Sequence, residues 1–98
     1  SLAEGTLKHF KADVAFIGAN GISIEEGLTT PNHVEAMTKR AMMASATRVY
    51  GVVDTSKFEQ VSFAVIASLK ELTAVITSGA LEEAQRKSYE VHDVVLMR

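Results

Sequence analysis

Four short apolar runs limit what this chain can become: Val14-Ala15-Phe16-Ile17, Val49-Tyr50-Gly51-Val52-Val53, Ala74-Val75-Ile76 and Val94-Val95-Leu96-Met97. Each run is continuous, without the polar-apolar alternation of a half-exposed strand. Such runs predict strands of a parallel sheet buried on both faces beneath helices. The stretches between them read as helix or loop, so the expected class is α/β. The chain has 98 residues, against about 100–200 for an ordinary domain. It is therefore one domain or part of one, and we find no repeat, low-complexity stretch or interdomain linker in it.

The clearest helical signal begins at Thr30-Pro31. Threonine caps exposed amides, and proline suits a first helical position because its missing N–H would be unpaired there. Val34, Met37, Ala41 and Ala44 then recur at helical spacing, which predicts a core-facing stripe. Glu35 and Lys39 occupy another face in the favourable order for an ion pair. This helix is expected to reach Ala46 or Thr47, with the methionines at 37, 42 and 43 as core fillers. A shorter helix is expected over Ala3 to Phe10. Another is expected over Ala80 to Tyr89, opened by Ser78-Gly79 with Glu82 and Glu83 in its first turn. Val61 to Ile66 fits either a short strand or a loop packed on the core.

In an open parallel sheet, ligands bind beyond the carboxyl ends of the strands. The first run ends in Gly18-Ala19-Asn20-Gly21 and continues through Gly27 to Thr30. Its three glycines allow close backbone approach to a ligand, and it leads to a helix amino terminus, a natural anion site. A plain turn-rich loop is the alternative. The second run ends in Asp54-Thr55-Ser56-Lys57-Phe58. An acid, two hydroxyls and a lysine at a strand end suit sugar hydroxyls and a phosphate, the alternative being a capped turn with a solvated lysine. Asp13 lies at the opposite end of its strand, where it suits a turn cap.

Other chemistries find little support. Net charge is −2 and the pI is about 5.9, whereas a nucleic-acid surface usually shows as a basic stripe with a domain pI above about 9. There is no cysteine, so disulfides, thiolate metal sites and a cysteine nucleophile are excluded. This suits a cytoplasmic setting. His9, His33 and His92 are dispersed, without metal-ligand spacing. No apolar run approaches the roughly 20 residues that span a bilayer, and the first residues do not read as a signal peptide. Neither the phosphate-loop nor the dinucleotide signature is present, so no cofactor is expected. No nucleophile elbow exists.

Taken in order, Asp13 to Ile22, Glu26-Gly27-Leu28-Thr29-Thr30, Lys39-Arg40-Ala41-Met42, Asp54-Thr55-Ser56-Lys57-Phe58 and Leu72 to Thr77 resemble the sensor domain of DeoR-type sugar repressors. The likeness extends over residues 2 to about 77. It implies a Rossmann-like, mostly parallel sheet with flanking helices, similar to that of ribose-phosphate isomerases and coenzyme A transferases. It also implies a non-enzymatic sensor whose effector is a phosphorylated sugar. The effector crevice would be lined by Gly18, Asn20, Gly21 and Gly27, with Asp54 and Lys57 at its edge. On this reading the 98 residues are the carboxyl-terminal portion of the sensor. Its first half, and an amino-terminal winged helix-turn-helix that contacts operator DNA, are expected to lie outside them. Homo-oligomerisation is expected, since repressors commonly pair on two-fold operators, and no membrane partner is.

The rival is a sugar-phosphate isomerase of the same fold. Such an enzyme needs a positioned base, usually a carboxylate. Spacing from the Asp54 motif puts Lys39 where isomerases carry a glutamate, and a lysine is a poor base there. A purely structural or oligomerisation fragment would leave the glycine loop and Lys57 without a role.

Overall fold

The apolar runs become four parallel strands in the computed structural model, which describes residues 11–98. The helix expected over Ala3 to Phe10 lies outside the described residues. The main sheet is formed by β1 (Ala12–Gly18), β4 (Ala46–Asp54), β6 (Ala74–Ser78) and β7 (Leu96–Met97), in that spatial order. A second, antiparallel sheet is formed by β2 (Gly21–Ser23), β3 (Gly27–Thr30) and β5 (Ala64–Ala67). Two helices complete the described fold, α1 (His33–Ala44) and α2 (Glu83–Val91).

The strand order β1-β4-β6-β7 advances steadily in one direction. Parallel crossovers are almost always right-handed, so successive connections in such an order lie over the same face of the sheet. Burial follows this topology. Ala15, Ile17, Val49, Val53 and Val75 point into one core with Ile22, Leu28, Ala36, Ile66 and Tyr89. On the other face Phe16 is 60% exposed and Val52 is exposed too. Phe16 stacks on Tyr50 with ring centroids 5.7 Å apart. The expectation of strands buried on both faces therefore holds for one face only, because every described connection crosses the same side.

The stretch after β1, expected as a loop, is a hairpin. β2 and β3 pair antiparallel, and β3 pairs in turn with β5. The ambiguous segment before residue 67 thus resolves as a strand whose inward Ala64 and Ile66 are buried.

The helix start also differs from the expected Thr30-Pro31. Thr30 closes β3, and its buried hydroxyl donates to Asn20 Oδ1 at 3.2 Å. Pro31 disfavours helical backbone in the residue before it. Asn32 is the cap instead, its Oδ1 accepting from Glu35 N at 2.9 Å. The helix ends at Ala44 because the chain is already extended in β4 from Ala46.

The inward stripe of α1 is likewise not the apolar one. Val34 is 68% exposed and Met37 is exposed, whereas Ala36 is buried and Met42 and Met43 pack against the core. Small Ala36 allows close approach, and one turn later two cations fasten the helix to backbone carbonyls. Lys39 Nζ donates to Gly18 O at 2.6 Å, and Arg40 Nη1 donates to Ile66 O at 2.6 Å. One helix is thereby tied to both sheets.

The third expected helix starts later, at Glu83 rather than Ala80, and runs on to Val91. Residues 79–82 are spent in the turn that leaves β6, with Glu82 at the cap position.

Candidate functional site

The carboxyl ends of β1 and β4 lie side by side. Gly18 is in register with Val52, and Asp54, two residues further along β4, is in register with Ser78 at the end of β6. Asp54 caps the 3-10 turn Thr55–Lys57. Its Oδ1 accepts from Ser56 N at 2.9 Å and also from the Ser56 hydroxyl. Those two donors, the hydroxyl foremost, hold the Asp54 carboxyl below the usual carboxylate range. Lys57 is half-buried at the last position of the turn. Among the described residues no carboxylate pairs with it.

Beyond the turn the chain doubles back along the hairpin. Phe58 bridges Ile22, and Glu59 N donates to Ile22 O at 2.7 Å. This bridge brings the loop after β1 and the loop after β4 into one wall, which their separation in sequence does not reveal. The return requires Glu59 to adopt a φ of 66°, an uncommon setting for a side chain with a Cβ. It is held there from α2: Tyr89 Oη donates to Glu59 Oε2 at 2.8 Å and Gln85 Nε2 donates to the same oxygen at 3.1 Å. Tyr89 is fully buried, edge-on to Phe58 at 5.1 Å. Burial, then the Glu59 carboxylate, pushes its phenol up, so it remains a proton donor.

Around β1 the contacts run back to α1. Lys39 holds Gly18 O and pairs with Glu35 Oε1 at 2.9 Å. The hydrogen bond and charge of Lys39 lower the Glu35 carboxyl below its ordinary value. Asn20 is exposed, with its backbone N–H on Thr29 O at 2.9 Å and its side chain accepting from Thr30.

The six residues singled out from the sequence are thus distributed unequally. Gly18, Asn20, Gly21, Asp54 and Lys57 come to one end of the sheet. Gly21 faces the Gln60 backbone so closely that any Cβ would overlap its carbonyl. Gly27 is at the far end of the hairpin, paired with Ser23 and pressed against Ala67 and Ser68. The amino terminus of α1, expected to await an anion, is already answered by the Asn32 cap and the Glu35 carboxylate in its first turn. From sequence, Lys39 is half of a helical ion pair and stands where isomerases of this fold carry a glutamate; its contact with β1 is not visible there. Its four-residue spacing from Glu35 was visible, but its reach to Gly18 depends on the packing of α1.

Thr77, next to Ser78 on β6, has a buried hydroxyl with no hydrogen-bond partner among the described residues. A separate concavity, lined in part by Leu69, Ala74, His92 and Val95, opens at the opposite end of β6. Among the described residues no group of His, Asp and Glu is arranged to hold a metal ion, and no helix is long and apolar enough to cross a membrane.

Comparison with known proteins identifies the family. The family of the DeoR C terminal sensor domain matches residues 1–79. The chain belongs to this family. As a DeoR sensor domain it is 38% identical over 95 residues to the HTH-type transcriptional regulator GlpR of Haloferax volcanii, covering 97% of the chain and 37% of that protein. It is 38% identical over 78 residues to the HTH-type transcriptional repressor GlcR of Bacillus subtilis, covering 80% of the chain and 30% of the repressor. Against the L-fucose operon activator of Haemophilus influenzae it is 28% identical over 94 residues, covering 96% and 38%. The DeoR sensor chain thus spans about a third of the length of these relatives, all of which are transcriptional regulators.

Proposed function

We propose that this chain is the carboxyl-terminal part of the effector-sensing domain of a repressor of sugar metabolism, and that the carboxyl ends of β1 and β4 bind a phosphorylated sugar. The Ile22–Phe58 bridge carries this reading, because it joins Gly18 and Asn20 to Asp54 and Lys57 in one wall. Asp54 is ionised and solvent-facing, a strong acceptor for sugar hydroxyls. Lys57 supplies the positive charge for phosphate, and the Gly18 to Asn20 backbone and the Asn20 side chain order the ring. Gly21 and Gly27 act through packing, setting the position of the loop. A relative named for the L-fucose operon supports a sugar as the ligand class.

In this proposal the face that carries exposed Phe16 and Val52 and half-buried Tyr50 is covered by the first half of the sensor, which precedes these residues. An amino-terminal winged helix-turn-helix makes the operator contacts, which suits a sensor pI of about 5.9. The complete protein works in the cytoplasm as a homo-oligomer on a two-fold operator. Effector binding modulates that DNA contact without any chemical conversion.

Lys57→Ala in the complete regulator is expected to weaken binding of the sugar phosphate by roughly tenfold to a hundredfold, the value of one charge-assisted hydrogen bond. Its thermal unfolding should be little changed, since Lys57 forms no ion pair with any described carboxylate. Calorimetric titration decides the point, and an unaltered affinity would remove Lys57 from the site.

A further inference from the structure

Lys39 is withdrawn further from water than Arg40, the neighbouring cation of α1, with side-chain exposures of 19% and 48%. A lysine at an exposed helix position ordinarily keeps its ammonium in water. Here the side chain is only 19% exposed, and the ammonium lies at the carboxyl end of β1 against Gly18 O at 2.6 Å. An ammonium has three donors. One is on Gly18, a second faces Glu35 Oε1 at 2.9 Å, and Glu35 is the more open partner at 46% exposure.

We propose that Lys39 is a second cation of the effector crevice, and that Glu35 is an internal stand-in for the phosphate, occupying Lys39 until the effector displaces it. The inference rests on the reading that this crevice takes a phosphorylated sugar. A phosphate carries more charge than a carboxylate and offers three acceptor oxygens, so it competes well for the same ammonium. Released Glu35 returns to water, to which it is already half open. The exchange has a direct outlet into the proposed effector wall, because Lys39 bonds the Gly18 backbone at the end of β1. Displacement of one carboxylate thereby frees the ammonium that holds a residue of that wall.

The test is calorimetric titration of the complete regulator with fructose 1-phosphate, fructose 6-phosphate, glucose 6-phosphate, ribose 5-phosphate and inorganic phosphate. Wild type, Glu35→Gln, Lys39→Met and the double variant are compared, each checked for folding by circular dichroism. Glu35→Gln should tighten binding of the responding sugar phosphate by about fivefold, as one competing charge is lost. Lys39→Met should weaken it by about tenfold or more. Glu35→Gln should have no effect once Lys39 is gone, which a merely structural role for Glu35 would not produce. A responding wild type whose affinity is the same in Glu35→Gln overturns the inference and leaves the effector reading standing. No response from wild type or any variant overturns both. Should Lys39→Met fail to fold, the Glu35→Gln titration still decides.

Discussion

Gly27→Ala is expected to cost about 2–5 kcal/mol of folding stability, the sum of overpacking at about 1–3 kcal/mol and a left-handed backbone setting at about 1–2 kcal/mol. Gly27 has a φ of 77°, and a Cβ there would overlap Ala67 O and lie 2.9 Å from Ser68 Cα. Both obstacles are backbone, so no side chain can swing aside. The damage would fall on the pairing of β3 with β5 and so on the second sheet. Against a total domain stability of about 5–15 kcal/mol, urea unfolding should register the loss as a lower midpoint with an unchanged slope. Gly18→Ala is the control. The nearest atom to a Cβ at Gly18 is Val52 O at 3.9 Å, so this variant should fold as wild type does. A Gly27→Ala protein of wild-type stability would show that the hairpin is not packed against β5 as described.

Tyr89→Ala should be comparably severe, at about 3–5 kcal/mol for a buried aromatic cut to alanine. The ring is fully buried and packs edge-on to Phe58, the residue that bridges to Ile22. The hydroxyl steadies Glu59 in its positive-φ conformation. Tyr89→Phe separates the two contributions. It keeps the ring and should lose only about 1 kcal/mol, the net value of one hydrogen bond. The Phe variant should nevertheless loosen residues 57–60, because Glu59 then keeps only Gln85 of its two described donors. If Tyr89→Phe proved as damaging as Tyr89→Ala, the hydrogen bond and not the ring would be the main support of the turn.

The parallel sheet was legible because its strands are continuous apolar runs, and those runs became β1, β4, β6 and β7. The second sheet was not. β2 and β3 are three and four residues long and contain glycine, serine and threonine, so their periodicity is too brief to separate from a loop. What makes them strands is pairing with β5 and burial of Leu28, Thr29 and Thr30 against the rest of the core. The α1 face was misread for a related reason. Val34 and Met37 are apolar, but the position of the helix follows from small Ala36 and from the reach of Lys39 and Arg40 to backbone carbonyls. No hydrophobic pattern encodes those contacts. The site was half legible. The strand-end rule located both loops, yet the bridge that unites them is a backbone contact between residues 36 positions apart, Ile22 and Phe58. Gly27, which the resemblance groups with Gly18, Asn20 and Gly21, lies at the far end of the hairpin, paired with Ser23.

The central claim is that the loops ending β1 and β4 form one effector-binding wall. Amide hydrogen exchange, followed by mass spectrometry on the complete regulator with and without a panel of sugar phosphates, tests it most directly. A saturating effector should slow exchange together in peptides covering residues 18–23 and 54–60, and leave α2, at Glu83–Val91, unchanged. Protection confined to other segments, or no protection with any sugar phosphate of the panel, would contradict the account.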